Sequence, residues 1–271
     1  MRRVLILGAG GQVGRALAAA LPDATAWDRA AFDLAAPAPL TGWDVVVNAA
    51  AWTDVDGAEV HRADAWRANA AGPAALARAA REHGFVLVHF SSEYVFDGAS
   101  PRPYREDDPV APLSAYGASK AAGDLAVQGV ERRYLVRPTW VVGEGRNFVR
   151  TMLGLAARGV APTVVDDQIG RPTFAADLAA AVTTLLRDGA PFGDYHVTGG
   201  GEPASWADVA RAVYRLAGAD LPVTGTSTAA YFADKPAAAP RPLNSVLDTS
   251  KAAGTGIAMP DWRERLADHV R

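Results

Sequence analysis

An α/β fold organised as a doubly wound parallel sheet is what the sequence predicts, on three observations. Short aliphatic runs such as Val4–Leu7, Phe85–Phe90 and Tyr134–Val136 recur through the first half, as expected of parallel strands buried on both faces. Helical patterns alternate with them, the order of βαβ units. The first run passes straight into Gly8-Ala9-Gly10-Gly11-Gln12-Val13-Gly14, a strand–glycine turn–helix sequence suited to cradling phosphate. Together these predict a Rossmann-like sheet over residues 1–145, with returns near 171–198. A small C-terminal substrate-binding part would cover 146–271, interleaved with that sheet.

Taken in order, Val4–Leu7 is the first buried strand and Arg15–Leu21 the first helix, stopped by Pro22. Gly8, Gly11 and Gly14, with Gln12 and Val13 between them, bring backbone N–H groups and a helix start up to a pyrophosphate. Thr25–Asp28 reads as the second strand. Asp28 lies 20 residues after Gly8, where a carboxylate would meet an adenosine ribose. Asp28 would repel a 2′-phosphate, whereas Arg29 could accept one, so NADH and NADPH both stay open as the cofactor. Asp33 and Leu34 fall where a loop could meet the adenine. Asp44–Asn48 is the third strand. Ala49, Ala50 and Ala51 after it leave room for a ligand against the backbone. Trp66–Glu82 reads as a long helix bent near Gly72-Pro73, with Asn69 in a structural role.

Phe85–Phe90 is the fourth strand, with His89 a packing residue, and it runs into Ser91-Ser92-Glu93-Tyr94. Ligands of open parallel sheets sit beyond the carboxyl ends of the strands, which places Ser92 either to bind a carbonyl oxygen or to cap the loop; Glu93 beside it is a candidate substrate contact. A loop over Val95–Pro112 follows. Tyr116 and Lys120 stand four apart in Ser114-Ala115-Tyr116-Gly117-Ala118-Ser119-Lys120, hence on one helix face. The ammonium is expected to lower the phenol's pKa and fit it for proton transfer. Seven tyrosines and three lysines placed at random give about 0.08 such pairs. Only three of the 27 basic residues are lysines, so lysine here suggests a chemical need that arginine would not meet.

Tyr134–Pro138 is the next strand, and Trp140 just beyond could stack on a planar or sugar ligand or simply pack. Asn147 opens a helix to Arg158, either as a pyrophosphate contact or as a plain N-cap. Val164–Gln168 reads as a strand and turn, and Phe174–Leu186 as amphipathic helix. Tyr195–Val197 returns to the main sheet, and Ser205 caps a helix to about Leu216. Pro236–Pro242 is a loop.

Composition excludes several classes. The chain has 271 residues, no cysteine, a net charge of −3 and 49% hydrophobic residues. Disulfides, thiolate metal sites and cysteine nucleophiles are ruled out. No basic run exceeds Arg132-Arg133, so no nucleic-acid partner is expected, and no apolar run would span a membrane. Scattered carboxylates offer no metal-ligand spacing, so no metal site is assigned. The opening Met1–Leu7 suits a buried strand better than a signal peptide, so a cytoplasmic location is expected. A homodimer is compatible with the sequence.

The marks Gly8-x-x-Gly11-x-x-Gly14, Asn48-Ala49-Ala50, Ser92 and Tyr116-x-x-x-Lys120 resemble the short-chain dehydrogenase/reductase superfamily, in its extended, nucleotide-sugar-modifying branch. Within it the chain most resembles the dTDP-4-dehydrorhamnose reductase family. The narrowing marks are Tyr94-Val95-Phe96, Ala111-Pro112-Leu113, Trp140-Val141, Asn147-Phe148, Asp167-Gln168-x-Gly170-x-Pro172-Thr173, Arg241-Pro242-x-Asn244-Ser245 and Pro260-Asp261-Trp262. This resemblance implies hydride transfer from NADPH or NADH to the C4 keto group of a dTDP-linked sugar, the nucleotide-sugar partner. It implies that Ser92 holds the carbonyl oxygen, Tyr116 protonates the alkoxide, and Lys120 tunes Tyr116 and holds the nicotinamide ribose. It also implies that Arg241 pairs with the substrate diphosphate. Two departures stand out: the family's Ser-Thr-Asp-Tyr is Ser91-Ser92-Glu93-Tyr94 here, and Trp52 follows the alanines where His is usual. An epimerase is the rival enzyme reading. A dehydratase would need a second acid, where Tyr94 stands instead. A regulatory subunit like the beta subunit of methionine adenosyltransferase is the non-enzymatic one, against which the intact Ser92/Tyr116/Lys120 set weighs.

Overall fold

The computed structural model describes residues 2–34 and 40–270. Its main sheet contains strands β1 (Val4–Leu7), β2 (Thr25–Trp27), β3 (Val45–Asn48), β4 (Val86–Phe90), β5 (Arg133–Arg137) and β6 (Gly193–His196). All are parallel, in the order β6-β5-β4-β3-β1-β2. The principal helices are α1 (Gln12–Ala20), α2 (Gly72–His83), α3 (Ala115–Gln128), α4 (Phe148–Ala157), α5 (Ala175–Asp188), α6 (Trp206–Leu216) and α7 (Trp262–Val270).

Strand alternation divides the core into two layers. Ile6, Val47, Val88 and Val136 face Leu17 of α1 and Leu178, Val182 and Leu185 of α5. Leu5, Val46, Leu87 and Leu135 face Leu76 and Ala80 of α2 and Val127 of α3. With helices on both faces, a strand gains nothing from a polar alternate position, which is why these runs are apolar throughout. The chain leaves β1 for β2 on one side and returns to β3 on the other. Their carboxyl ends therefore diverge around a crevice, the switch point where open α/β sheets take ligands.

The expected strands and helices are present, with three local differences. Helix α1 starts at Gln12, three residues before the expected Arg15, because Gly11 is its N-cap and nothing between interrupts the turn. The bend expected near Gly72-Pro73 is a π-helical turn over Arg67–Ala71 between Arg62–Trp66 and α2. Pro73 has no N–H to offer the carbonyl of Asn69, so the helical ladder widens there. A 3₁₀ turn, Glu93–Val95, leads from β4 into the loop expected over Val95–Pro112.

Helix α5 and strand β6 belong to the main sheet layer. A separate apolar cluster joins Val149 and Met152 of α4, Ala207 and Val213 of α6, and Trp262 and Leu266 of α7. No helix among the described residues is long and apolar enough to cross a membrane.

Candidate active site

The crevice is a cleft of about 1120 Å³. It runs from the glycine turn, past the ends of β1, β3 and β4, to the junction with the second apolar cluster.

At one end, the turn after β1 is closed by Gly11 N–H donating to the Gly8 carbonyl at 3.0 Å. Gly8 has φ +82°, and a Cβ there would lie 2.6 Å from the Ala50 nitrogen. A Cβ on Gly14 would collide with the Gly8 carbonyl. Only glycines let the first turn of α1 close against β1 this tightly. With no side chain capping α1, its leading N–H groups remain for an anion. This cradle fits a dinucleotide pyrophosphate. Gly8, Gly11, Gln12 and Val13 line the cleft, as do Asp28, Asp33, Leu34, Ala50 and Ala51. Gly14 serves from behind. The Asp28 carboxylate accepts the N–H groups of Ala30 and Ala31 at 2.9 and 3.2 Å, which aims the Arg29 turn along the cleft wall.

On the floor, Ser92, Tyr116 and Lys120 come together from β4 and α3. The Ser114 hydroxyl caps α3 by accepting the Gly117 N–H at 3.1 Å. That starts the helix where Tyr116 and Lys120 both point inward, and Lys120 is 1% exposed. Its ammonium donates to the Phe90 carbonyl at 2.7 Å. Burial pulls Lys120 down to about 8, against the charge of Asp124 one turn on. Asp124 is itself held by Arg137 at 3.0 Å. The Ser92 hydroxyl tempers the rise of the Tyr116 phenol. It accepts the Tyr94 N–H at 3.3 Å and donates to the Glu93 carboxyl at 2.7 Å. Glu93 is 4% exposed, and burial pushes it up to about 7, opposed by the Ser92 hydrogen bond.

One expectation is corrected here. Lys120 does not bring Tyr116 towards neutrality. The phenol is raised well above its ordinary value, first by burial and then by the Glu93 charge. The lysine is turned to a carbonyl, and the first charge acting on the phenol is that of the Glu93 carboxylate.

The second half contributes less directly than expected. Trp140 lines the cleft, but one face of its ring is stacked on Trp206 at 3.7 Å. Its backbone has φ +42°, a strained geometry held by that stack. Asn147 does not line the cleft. Its side chain caps α4 by accepting the Arg150 N–H at 3.0 Å and donates to the Gly143 carbonyl at 2.8 Å. The same Asn147 amide meets Gln12 Oε1 at 3.2 Å, so it ties α4 to α1. Arg241 also lies outside the lining. It forms a two-pronged pair with Asp56 at 2.9 and 2.8 Å and covers the Phe232 ring, and its charge reaches the Tyr94 phenol.

Asn69 is structural, as expected. It accepts the Trp52 N–H at 2.9 Å and donates to Ser119 at 3.0 Å. His89 is buried against Asn48 at 3.0 Å. Trp52 and Tyr94, noted above only against the family pattern, line the cleft, as do Trp206 and Arg15, which carried no such signal and reach it through tertiary packing.

The whole chain, residues 1–271, matches the family described as the RmlD substrate binding domain. The dTDP-4-dehydrorhamnose reductase of Aggregatibacter actinomycetemcomitans is 38% identical over 98% of this chain and 97% of its own length. The chain belongs to the dTDP-4-dehydrorhamnose reductase family. A family structure from Bacillus anthracis, solved in complex with NADP, is 33% identical with a TM-score of 0.89, over 98% of each chain. The probable dTDP-4,6-dihydroxy-2-methyloxan-3-one 4-ketoreductase of Streptomyces antibioticus is 41% identical over 98% of this chain and 94% of its own.

Proposed function

We propose that the protein reduces the C4 keto group of a dTDP-4-dehydro-6-deoxysugar with NADPH or NADH, with dTDP-4-dehydro-L-rhamnose to dTDP-L-rhamnose as the leading case. The observation that carries this is the Ser92–Tyr116–Lys120 cluster, buried at the floor of a cleft that begins at the glycine cradle. When bound, the nicotinamide supplies a hydride. The residues of the chain handle the charge that hydride creates. Ser92 donates to the C4 oxygen as negative charge grows. Tyr116 gives its proton to the alkoxide. A raised phenol is a weaker acid, but it is also drawn less to give its proton elsewhere, and the C4 alkoxide is the base that takes it. Lys120 stays largely ammonium at pH 7 and holds the nicotinamide ribose in this reading. Residues 146–271 bind the sugar nucleotide in this reading. A cytoplasmic location and a homodimer belong to it as well, checked by fractionation and sedimentation.

The Streptomyces relative, named for another 4-ketosugar, makes the sugar the point to test. Purified protein is given dTDP-4-keto-6-deoxyglucose and NADPH or NADH, with and without the 3,5-epimerase, and nicotinamide oxidation is followed. Turnover is expected only with the epimerase, and Tyr116→Phe should lose about 10²-fold or more. Turnover without the epimerase replaces the rhamnose assignment. No oxidation under any condition overturns the reductase reading.

A further inference from the structure

Ser92 has one hydrogen and two acceptor positions. In the structure the single hydrogen goes to Glu93 Oε2 at 2.7 Å, and the hydroxyl oxygen accepts the Tyr94 N–H at 3.3 Å. A serine bonded in this way has nothing left to donate to a C4 oxygen. Glu93 therefore competes with the reaction for the hydrogen that the reaction needs. No cation pairs with Glu93 among the described residues. Lys120 is committed to the Phe90 carbonyl, and Arg241 is paired with Asp56, its charge reaching Tyr94 instead. Tyr116 faces Glu93 from α3, and Asp124 and His89 lie deeper, acting on Lys120.

We propose that Glu93 is a positioning residue that works in its protonated form, donating to Ser92 so that Ser92 turns its only hydrogen towards the C4 oxygen. The chain Glu93–OH to Ser92 Oγ, and Ser92–OH to the sugar oxygen, satisfies every donor without net proton transfer. Each link also strengthens the next. Ionised Glu93 reverses the first link and withdraws the second. Burial holds this carboxyl near neutrality, so the switch falls within the working range. The inference rests on the proposed ketoreduction and assigns Glu93 a part in it.

The test is the pH dependence of kcat for the native protein and for Glu93→Gln, whose neutral amide can donate to Ser92 at any pH. Between pH 6 and 8 the native enzyme should lose about tenfold, the fall expected as a group titrating near 7 is mostly ionised by pH 8. Relative to its own rate at pH 6, Glu93→Gln should lose much less than the native enzyme by pH 8. A Gln variant that keeps the native fall overturns the proposal. A second measurement needs no substrate or variant: the ¹³C shift of the Glu93 carboxyl followed with pH. Titration near 7 supports the proposal, and titration in the ordinary carboxylate range overturns it. If the native protein reduces no 4-ketosugar, the functional reading fails on its own, while the carboxyl titration still reports separately on Glu93.

Discussion

Replacing Glu93 by Gln should stabilise the protein, and by an amount that depends on pH in a defined direction. The carboxyl is ordinarily near 4.5 and is pushed up to about 7 in the fold, first by burial. Below about pH 4.5 it is protonated in both states and contributes nothing. As pH rises from there, the unfolded chain releases this proton while the folded chain keeps it. Stability is therefore lost at about 1.36 kcal/mol per pH unit until the folded group ionises near 7. The accumulated loss at pH 8 is roughly 3 kcal/mol. Glu93 is almost wholly buried, so solvent screening does not reduce that figure much. Glutamine cannot ionise, yet it retains an oxygen to accept the Ser92 hydroxyl. The Tm of Glu93→Gln should match the native value near pH 4.5 and exceed it by roughly 6–12 °C at pH 8, at 2–4 °C per kcal/mol for a chain of this size. Thermal unfolding across pH 4.5–8 measures it. A Tm difference that does not change with pH, or that shrinks as pH rises, would refute the burial argument.

Two further predictions concern the cradle and the lysine. Gly14→Ala drives a methyl into the Gly8 carbonyl, so the NADPH Kd should rise at least ~10-fold by calorimetry through loss of the close helix approach; an unchanged Kd would dismiss the cradle. Lys120 is held at about 8 by burial, so the kcat of Glu93→Gln should still fall as pH passes about 8 and the ammonium is lost. A flat profile to pH 9.5 in that variant would show that the charge on Lys120 is not used.

Much of the architecture was legible because its signals are local. Val4–Leu7, Val45–Asn48 and Val86–Phe90 declare a sheet covered on both faces by lacking polar alternate positions. Gly8 and Gly14 declare a close turn because no other residue fits there. Tyr116 and Lys120 declare a shared face because helical period places them together. The return of β6 to the sheet was also readable, from Tyr195–Val197.

What the sequence by itself determined, then, is the set of elements, the cleft at the strand ends and the chemical identity of the reacting groups. Tertiary structure alone decided how those groups are charged and to whom they are bonded. Asn147 could be a phosphate ligand or a cap by its position in the chain; only the approach of Gln12 and Gly143 commits it to capping. Arg241 finds Asp56 across 185 residues. Lys120 was expected to act on Tyr116, yet it turns to the Phe90 carbonyl, and burial with Glu93 governs the phenol instead. The reason is physical: backbone form follows from neighbours in the chain, whereas proton affinity follows from depth and from charges in space. The fold alone sets those distances.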